Sequence, residues 1–206
     1  MVTARVLPPS EDVLAVADQR VTLTGVSWSL YAQLDAARGD KAVPRLSYLE
    51  GTLELMSPSP HHERTKSRIG RLVEAYLLHH DITFEAVGSW TLQREDQEAG
   101  AEPDECYLIG EDRSGDRPHL AIEVNWTSGG LNKLAIYARL GVGEVWIWQR
   151  GVITVHCLVD GAYQPRETSE VLPDIDLPRL VRHLDADSAS DAIKAYRDEL
   201  ASASSR

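Results

Sequence analysis

The 206-residue chain reads as a single α/β domain, α+β by some schemes, built on a mixed β-sheet flanked by α-helices. Three observations predict this. Runs rich in β-branched and aromatic residues recur at residues 82–87, 89–92, 105–109, 120–126, 144–148 and 152–159. A long amphipathic helical pattern precedes all of them at residues 60–80, and a shorter one at 130–140 falls between the fourth and fifth runs. The composition, 43% hydrophobic and 26% charged, supplies one well-filled core and is far from the disordered regime. No Pro/Gly/Ser linker divides the chain, so the domain is assigned to residues 21–182, with an N-terminal arm at 1–20 and a C-terminal helix and tail at 183–206.

Taken in order, residues 1–20 mix Pro8, Pro9, acids and scattered apolars without a period, which predicts a loosely ordered arm. Ser27 is placed to cap a short helix whose apolar residues Trp28, Leu30, Tyr31, Leu34 and Ala37 share a face, and Gly39 ends it. Two strand-like runs, residues 46–49 and 53–56, flank Glu50-Gly51-Thr52, where Gly51 supplies the positive φ of a tight hairpin. Ser59 as cap and Pro60 as first residue then open the long helix, with Ile69, Leu72, Val73, Tyr76, Leu77 and His80 on its core stripe. The acidic or glycine-containing stretches 93–100 and 110–117 read as loops between strands. Ser128 and Gly141 are expected to bound the second helix, a hairpin to turn at Arg150-Gly151, and a C-terminal helix with Ala192, Ile193, Tyr196 and Leu200 as its stripe to start near Ser188.

Composition excludes several classes. No window approaches the roughly 18 apolar residues of a membrane span, and the N-terminus lacks a basic flank followed by an apolar core, so a cytoplasmic protein is expected. Cys106 and Cys157 are too few for a zinc cage or disulfide framework and read as buried thiols. The formal net charge of -11 argues against a general nucleic-acid coat, though not against a small basic groove on an acidic body.

The residues with chemical potential cluster after Ala101. In HLAIEVNW, Leu120, Ile122 and Val124 fall on one strand face and Ala121, Glu123 and Asn125 on the other, so a carboxylate is carried on the small-residue face of an interior strand. Burying it is costly unless an ion pair to Lys133 or an arginine, a metal, or protonation compensates. Asp104, nineteen residues earlier, opens another strand after Pro103 and is either a Pro-Asp turn residue or the second of a pair that a divalent cation would relieve of its repulsion. Lys133 starts the following helix and leans back toward the strand end, with Tyr137 one turn on. On the long helix, Arg64, Arg68 and Arg71 share a face that is either solvated and balanced by Glu63 and Glu74 or a ridge contacting phosphates.

These pieces resemble a known family. Across residues 28–148 the sequence is similar to the bacterial Uma-two family, a branch of the restriction-endonuclease-like PD-(D/E)XK superfamily. The matching text is LEGTLELMSPSPHHE, Pro103-Asp104, AIEV ending the strand of Glu123, and Lys133, Tyr137, Gly141-Val142, Glu144 and Trp146. The resemblance implies a restriction-endonuclease-like fold and a Mg²⁺-dependent (or Mn²⁺-dependent) hydrolase site at the strand ends. Asp104, Glu123 and the Val124 carbonyl would be the metal ligands and Lys133 the catalytic lysine, with Glu50, His62, Glu63 and Tyr137 as auxiliary residues. The pattern departs at Asn125, where the superfamily usually carries its lysine, and at Asn125-Trp126 and Gly129-Gly130, where relatives carry proline and serine and then an acid. The expected function is therefore a metal-dependent endonuclease acting on phosphodiesters, in DNA first of all. The alternative is a catalytically silent nuclease-fold module that binds nucleic acid or a protein partner, and a third reading is a homodimer with Trp126 or the N-terminal arm at its interface.

Overall fold

Local sequence signals explain most of the elements in the computed structural model, which describes residues 17–125 and 130–204. The chain runs through β1 (Gln19–Thr24), α1 (Trp28–Arg38), β2 (Arg45–Leu49), β3 (Thr52–Ser57) and α2 (Pro60–His79). Next come β4 (Phe84–Ala86), β5 (Leu92–Arg94), β6 (Ala99–Ala101), β7 (Glu105–Ile109), β8 (Leu120–Val124) and α3 (Lys133–Leu140). The last elements are β9 (Glu144–Gln149), β10 (Val152–Val159), β11 (Ala162–Arg166), α4 (Leu177–Arg182) and α5 (Ala189–Ser204). The expected caps hold: Ser27 Oγ accepts from Leu30 N at 3.3 Å, Ser59 Oγ from His62 N at 3.2 Å, and Gly141 closes α3 in the left-handed region. Between β2 and β3, Glu50 and Gly51 both take positive φ, 43° and 78°, the two-residue turn that suits the strand twist.

The mixed α/β class is as expected, but the strands form two sheets rather than one. The first is antiparallel in the order β1-β3-β2-β6-β5. The second has the order β11-β10-β9-β8-β7-β4 and is antiparallel except between β8 and β9, whose parallel pairing is bridged by α3. Of the unexpected strands, β6 and β11 carry weak sequence signals, whereas β1, QRVTLT, holds three β-branched residues. β6 is Ala99-Gly100-Ala101, with no β-branched residue, because Tyr31 packs so closely on Gly100 that a Cβ has no room. β11 holds Pro165 and only one partly buried residue, which an edge strand tolerates since one of its sides needs no hydrogen bonds. The expected loose arm is corrected at its end: Gln19 and Arg20 open β1, and Asp18 before them is buried. The expected cap Ser128 lies outside the described residues, and α3 instead starts at Lys133 with Asn132 Oδ1 accepting from Ala135 N at 3.2 Å.

Three apolar clusters hold the layers together. Leu120, Ile122 and Val124 of β8, with Trp146 and Trp148 of β9, pack against Ile69, Leu72, Val73 and Tyr76 of α2 and against Ala192, Tyr196 and Leu200 of α5. The opposite face of the same sheet, through Cys106, Ala121 and Val145, meets Ile136, Tyr137 and Leu140 of α3 and Ala99 and Ala101 of β6. Tyr31, Leu46, Tyr48 and Leu53 fill the space under α1. The alternation read from HLAIEVNW is therefore the observed one, with Ala121 and Glu123 facing α3.

Glu144 shows how the second sheet anchors its neighbouring loop. Its buried carboxylate accepts from Trp146 Nε1 at 2.6 Å, Ser169 Oγ at 2.5 Å, and Glu170 N and Val171 N at 2.7 and 3.2 Å. Replacing it with Ala strands these donors, and Glu144→Ala should lower unfolding stability in urea by about 2–4 kcal/mol. Both cysteines are buried, and burial pushes each thiol up to about 12, with the Glu144 charge adding to the effect at Cys157. An alkylating reagent at pH 8 should therefore leave both thiols unmodified in the folded protein and label both in denaturant.

Candidate functional site

The Pro103-Asp104 step carries the chain from β6 in the first sheet to β7 in the second. Glu105 of β7 pairs with Ile122 of β8, and continuing that antiparallel register by one residue sets Asp104 across from Glu123. Backbone and side chain lock this meeting, since Asp104 Oδ2 accepts from Val124 N at 2.6 Å. Both carboxylates are buried, Asp104 at 1% and Glu123 at 4% exposure, so each needs compensation.

Asp104 receives it from two side chains. His62, in the first turn of α2, places Nε2 at 2.9 Å from Oδ1, and Arg45 of β2 brings its guanidinium against the same oxygen. Glu63 holds the other edge of that guanidinium at 2.7 Å. The second ring nitrogen of His62 lies 3.2 Å from Asp18, which also accepts from Ser59 N at 2.9 Å. Both imidazole contacts are hydrogen bonds only when each nitrogen carries a proton, because carboxylates accept and do not donate. Burial alone would push the Asp18 carboxyl up, but the hydrogen bonds from His62 and Ser59 and the charge on His62 outweigh it and hold the group well below the usual carboxylate range.

Glu123 is compensated from α3. Tyr137 donates its hydroxyl to Glu123 Oε1, and Lys133 places Nζ 3.5 Å from the same oxygen. Burial first and the Glu123 charge second push the Tyr137 hydroxyl well above its ordinary value, so it remains a donor. A cavity of about 150 Å³ opens beside this group, lined by Arg20, Glu123, Asn125, Asn132 and Lys133. Arg20 pairs with Asp18 and with Glu54, each at 3.4 Å, and Glu54 accepts from Leu131 N at 3.1 Å. Gly130 takes φ +98°, and a Cβ there would collide with Arg20 and Glu54, so glycine is what allows the chain entering α3 to lie against this pair.

The structure thus gathers Asp104, Glu123, Val124, Lys133, Tyr137, His62 and Glu63 into one region. Glu63 acts there through Arg45 and through Lys66, 3.4 Å away. Glu50 is not brought in: it occupies the β2–β3 turn and pairs with Arg139 of α3. The arginine ridge is also divided, since Arg68 donates to the Leu184 and Asp187 carbonyls, Arg71 to Ser67 at 3.4 Å, and Arg64 is exposed. Trp126 lies outside the described residues. Sequence reading missed Asp18, Arg20, Arg45 and Glu54. Glu54 carried a usable signal, a charge between apolar residues in a strand, the same signature that exposed Glu123.

Among the described residues no three or more His, Cys, Asp or Glu side chains gather into a metal cage. Two facing carboxylates and a backbone carbonyl nonetheless suit a hard divalent ion that keeps most of its waters. At Asp104, however, a protein cation already stands.

The mixed α/β fold thus collects acids, a lysine and arginines at its strand ends beside a small cleft. The chain belongs to the Uma2 family, described as "Putative restriction endonuclease", whose model matches residues 28–188. Among solved structures it is similar to "a putative nuclease belonging to DUF820 from Anabaena variabilis ATCC 29413", at 15% identity over 78% of this chain and 96% of that one, with a TM-score of 0.46. No curated protein matches. No helix among the described residues is long and apolar enough to cross a membrane.

The depressed Asp18 carboxyl has a consequence for stability. A group held below its unfolded value stabilises the fold above that value, and the contribution is lost as pH falls toward the folded one. The stability gap between wild type and Asp18→Asn should be full at pH 6 and shrink as pH drops below about 4. Denaturant midpoints measured at several pH values check this, and a gap that widens on acidification would refute it.

Proposed function

We propose that the protein is a divalent-metal-dependent nuclease that hydrolyses phosphodiester bonds, with DNA as its substrate. One observation carries the reading: Asp104 and Glu123 stand opposite each other on adjacent strands, with Lys133 3.5 Å from Glu123 at the cavity edge. Asp104, Glu123 and the Val124 carbonyl would hold Mg²⁺ or Mn²⁺, which when bound makes a water nucleophilic near neutral pH and screens the phosphate's charge.

The chain's own groups do the rest. The Val124 N–H and the Tyr137 hydroxyl fix one oxygen each of Asp104 and Glu123, so neither carboxylate has to be ordered during the reaction. Lys133, on the Glu123 side of the cavity, orients the attacking water and stabilises negative charge on the phosphate as the new P–O bond forms and the old one breaks. Arg20 on the cavity wall supplies a second positive group for a phosphate oxygen. Lys133 thereby serves in the place of the lysine that Asn125 lacks.

Asn125, together with the Arg45 contact at Asp104, favours the second reading, a module that binds nucleic acid or a protein partner without cutting. A cleavage assay on DNA and RNA with Mg²⁺ or Mn²⁺ separates the two. DNA should be cut by wild type, about 100-fold or more slowly by Asp104→Asn, Glu123→Gln and Lys133→Met, and about tenfold more slowly by Tyr137→Phe. Cleavage undiminished by Glu123→Gln removes the catalytic assignment, and metal-free binding retained by Asp104→Asn with no cleavage selects the second reading.

A further inference from the structure

Asp104 has both oxygens in use. Oδ2 takes the Val124 N–H, and Oδ1 faces His62 Nε2 and the Arg45 guanidinium. Of these donors, Arg45 is the permanent full charge. Its side chain is only 6% exposed, it projects from β2 of the first sheet, and Glu63 steadies its second edge at 2.7 Å. The fork geometry lets one guanidinium bridge the two carboxylates, which a point charge does less well. Glu123 is answered differently, by the ammonium of Lys133 at 3.5 Å and a tyrosine hydroxyl. The two acids that face each other across the strands are therefore each matched by a cation of the chain itself, and only Asp104 is matched by a guanidinium.

A buried carboxylate and a nearby cation attract strongly because little water screens them, and a second cation brought to the same oxygen meets repulsion from the first. We propose that Arg45 is a built-in counter-ion that competes with a divalent metal for Asp104, so that metal binds only when the guanidinium leaves that oxygen. Glu63, 44% exposed at the start of α2, is the group that receives it on the solvent side. A phosphate offers the same guanidinium a bidentate partner, so nucleic acid and metal should favour each other's binding. The inference rests on the assignment of Asp104 as a metal ligand.

Mn²⁺ binding, followed by the electron paramagnetic resonance signal of the free ion, tests it without requiring cleavage. Arg45→Gln should bind Mn²⁺ about tenfold or more tightly than wild type, and the gain should vanish in Arg45→Gln/Asp104→Asn. Arg45→Lys keeps a charge but not the fork, and should fall between the two; circular dichroism checks that each variant is folded, and if the Gln variant is not, the Lys comparison decides. Wild type that binds Mn²⁺ through Asp104 while folded Arg45 variants bind no more tightly overturns the counter-ion role alone. Failure of every variant to bind Mn²⁺ overturns both this inference and the metal assignment on which it rests.

Discussion

The architecture turns on a buried negative charge at a junction. Asp104 sits where the chain passes from the first sheet to the second, and at 1% exposure its charge is tolerable only with several donors around it. The donors come from three separate elements: the Val124 N–H at the end of β8, His62 in the first turn of α2, and Arg45 at the start of β2. Satisfying the charge and docking the two sheets and the long helix are therefore one requirement. His62 extends it to Asp18 and so draws the approach to β1 into the same network.

That network interleaves buried acids and cations within an acidic protein. Asp18, Glu54, Asp104 and Glu123 are all buried within it, and Arg20, Arg45 and Lys133 are placed among them at ion-pair distance. The net charge of -11 is consequently not a measure of the potential at the cleft. Arg20 and Lys133 both line the cavity while each also leans on a carboxylate, so the site has cations to offer an anion without an exposed basic face.

Legibility in the sequence followed the strength of local signals. The caps Ser27, Ser59 and Gly141, the Glu50-Gly51 turn and the face alternation of β8 were all readable because a few adjacent residues determine them. Short strands were not: β6 has only alanine and glycine, and β11 contains a proline, so pairing partners rather than composition decide both. The same divide runs through the site. Asp104, Glu123, Lys133 and Tyr137 lie within 34 residues and announce themselves by strand position and helical spacing. Arg45, Asp18 and Arg20 reach the cluster only through tertiary contacts, 59, 86 and 34 residues from the acids that they or their neighbours answer, namely Asp104 for the first two and Glu54 for the third. No periodicity in one chain encodes such separations.

The unequal treatment of the two acids bears on how such a site works. Glu123 is met by lysine, a single charge on a flexible stem whose head is able to move a few ångströms toward the cavity without vacating its helix. Asp104 is met by a planar guanidinium that also spans to Glu63, so its release gives up the buried ion pair and leaves the half-exposed one to Glu63. In the proposed nuclease, the lysine side would thus exchange its partner readily and the arginine side only when something comparable is offered. A phosphate with a divalent ion would there supply both replacements at once, an anion for Arg45 beside Glu63 and a cation for Asp104. On that proposal the site is hard to load in pieces and easy to load whole.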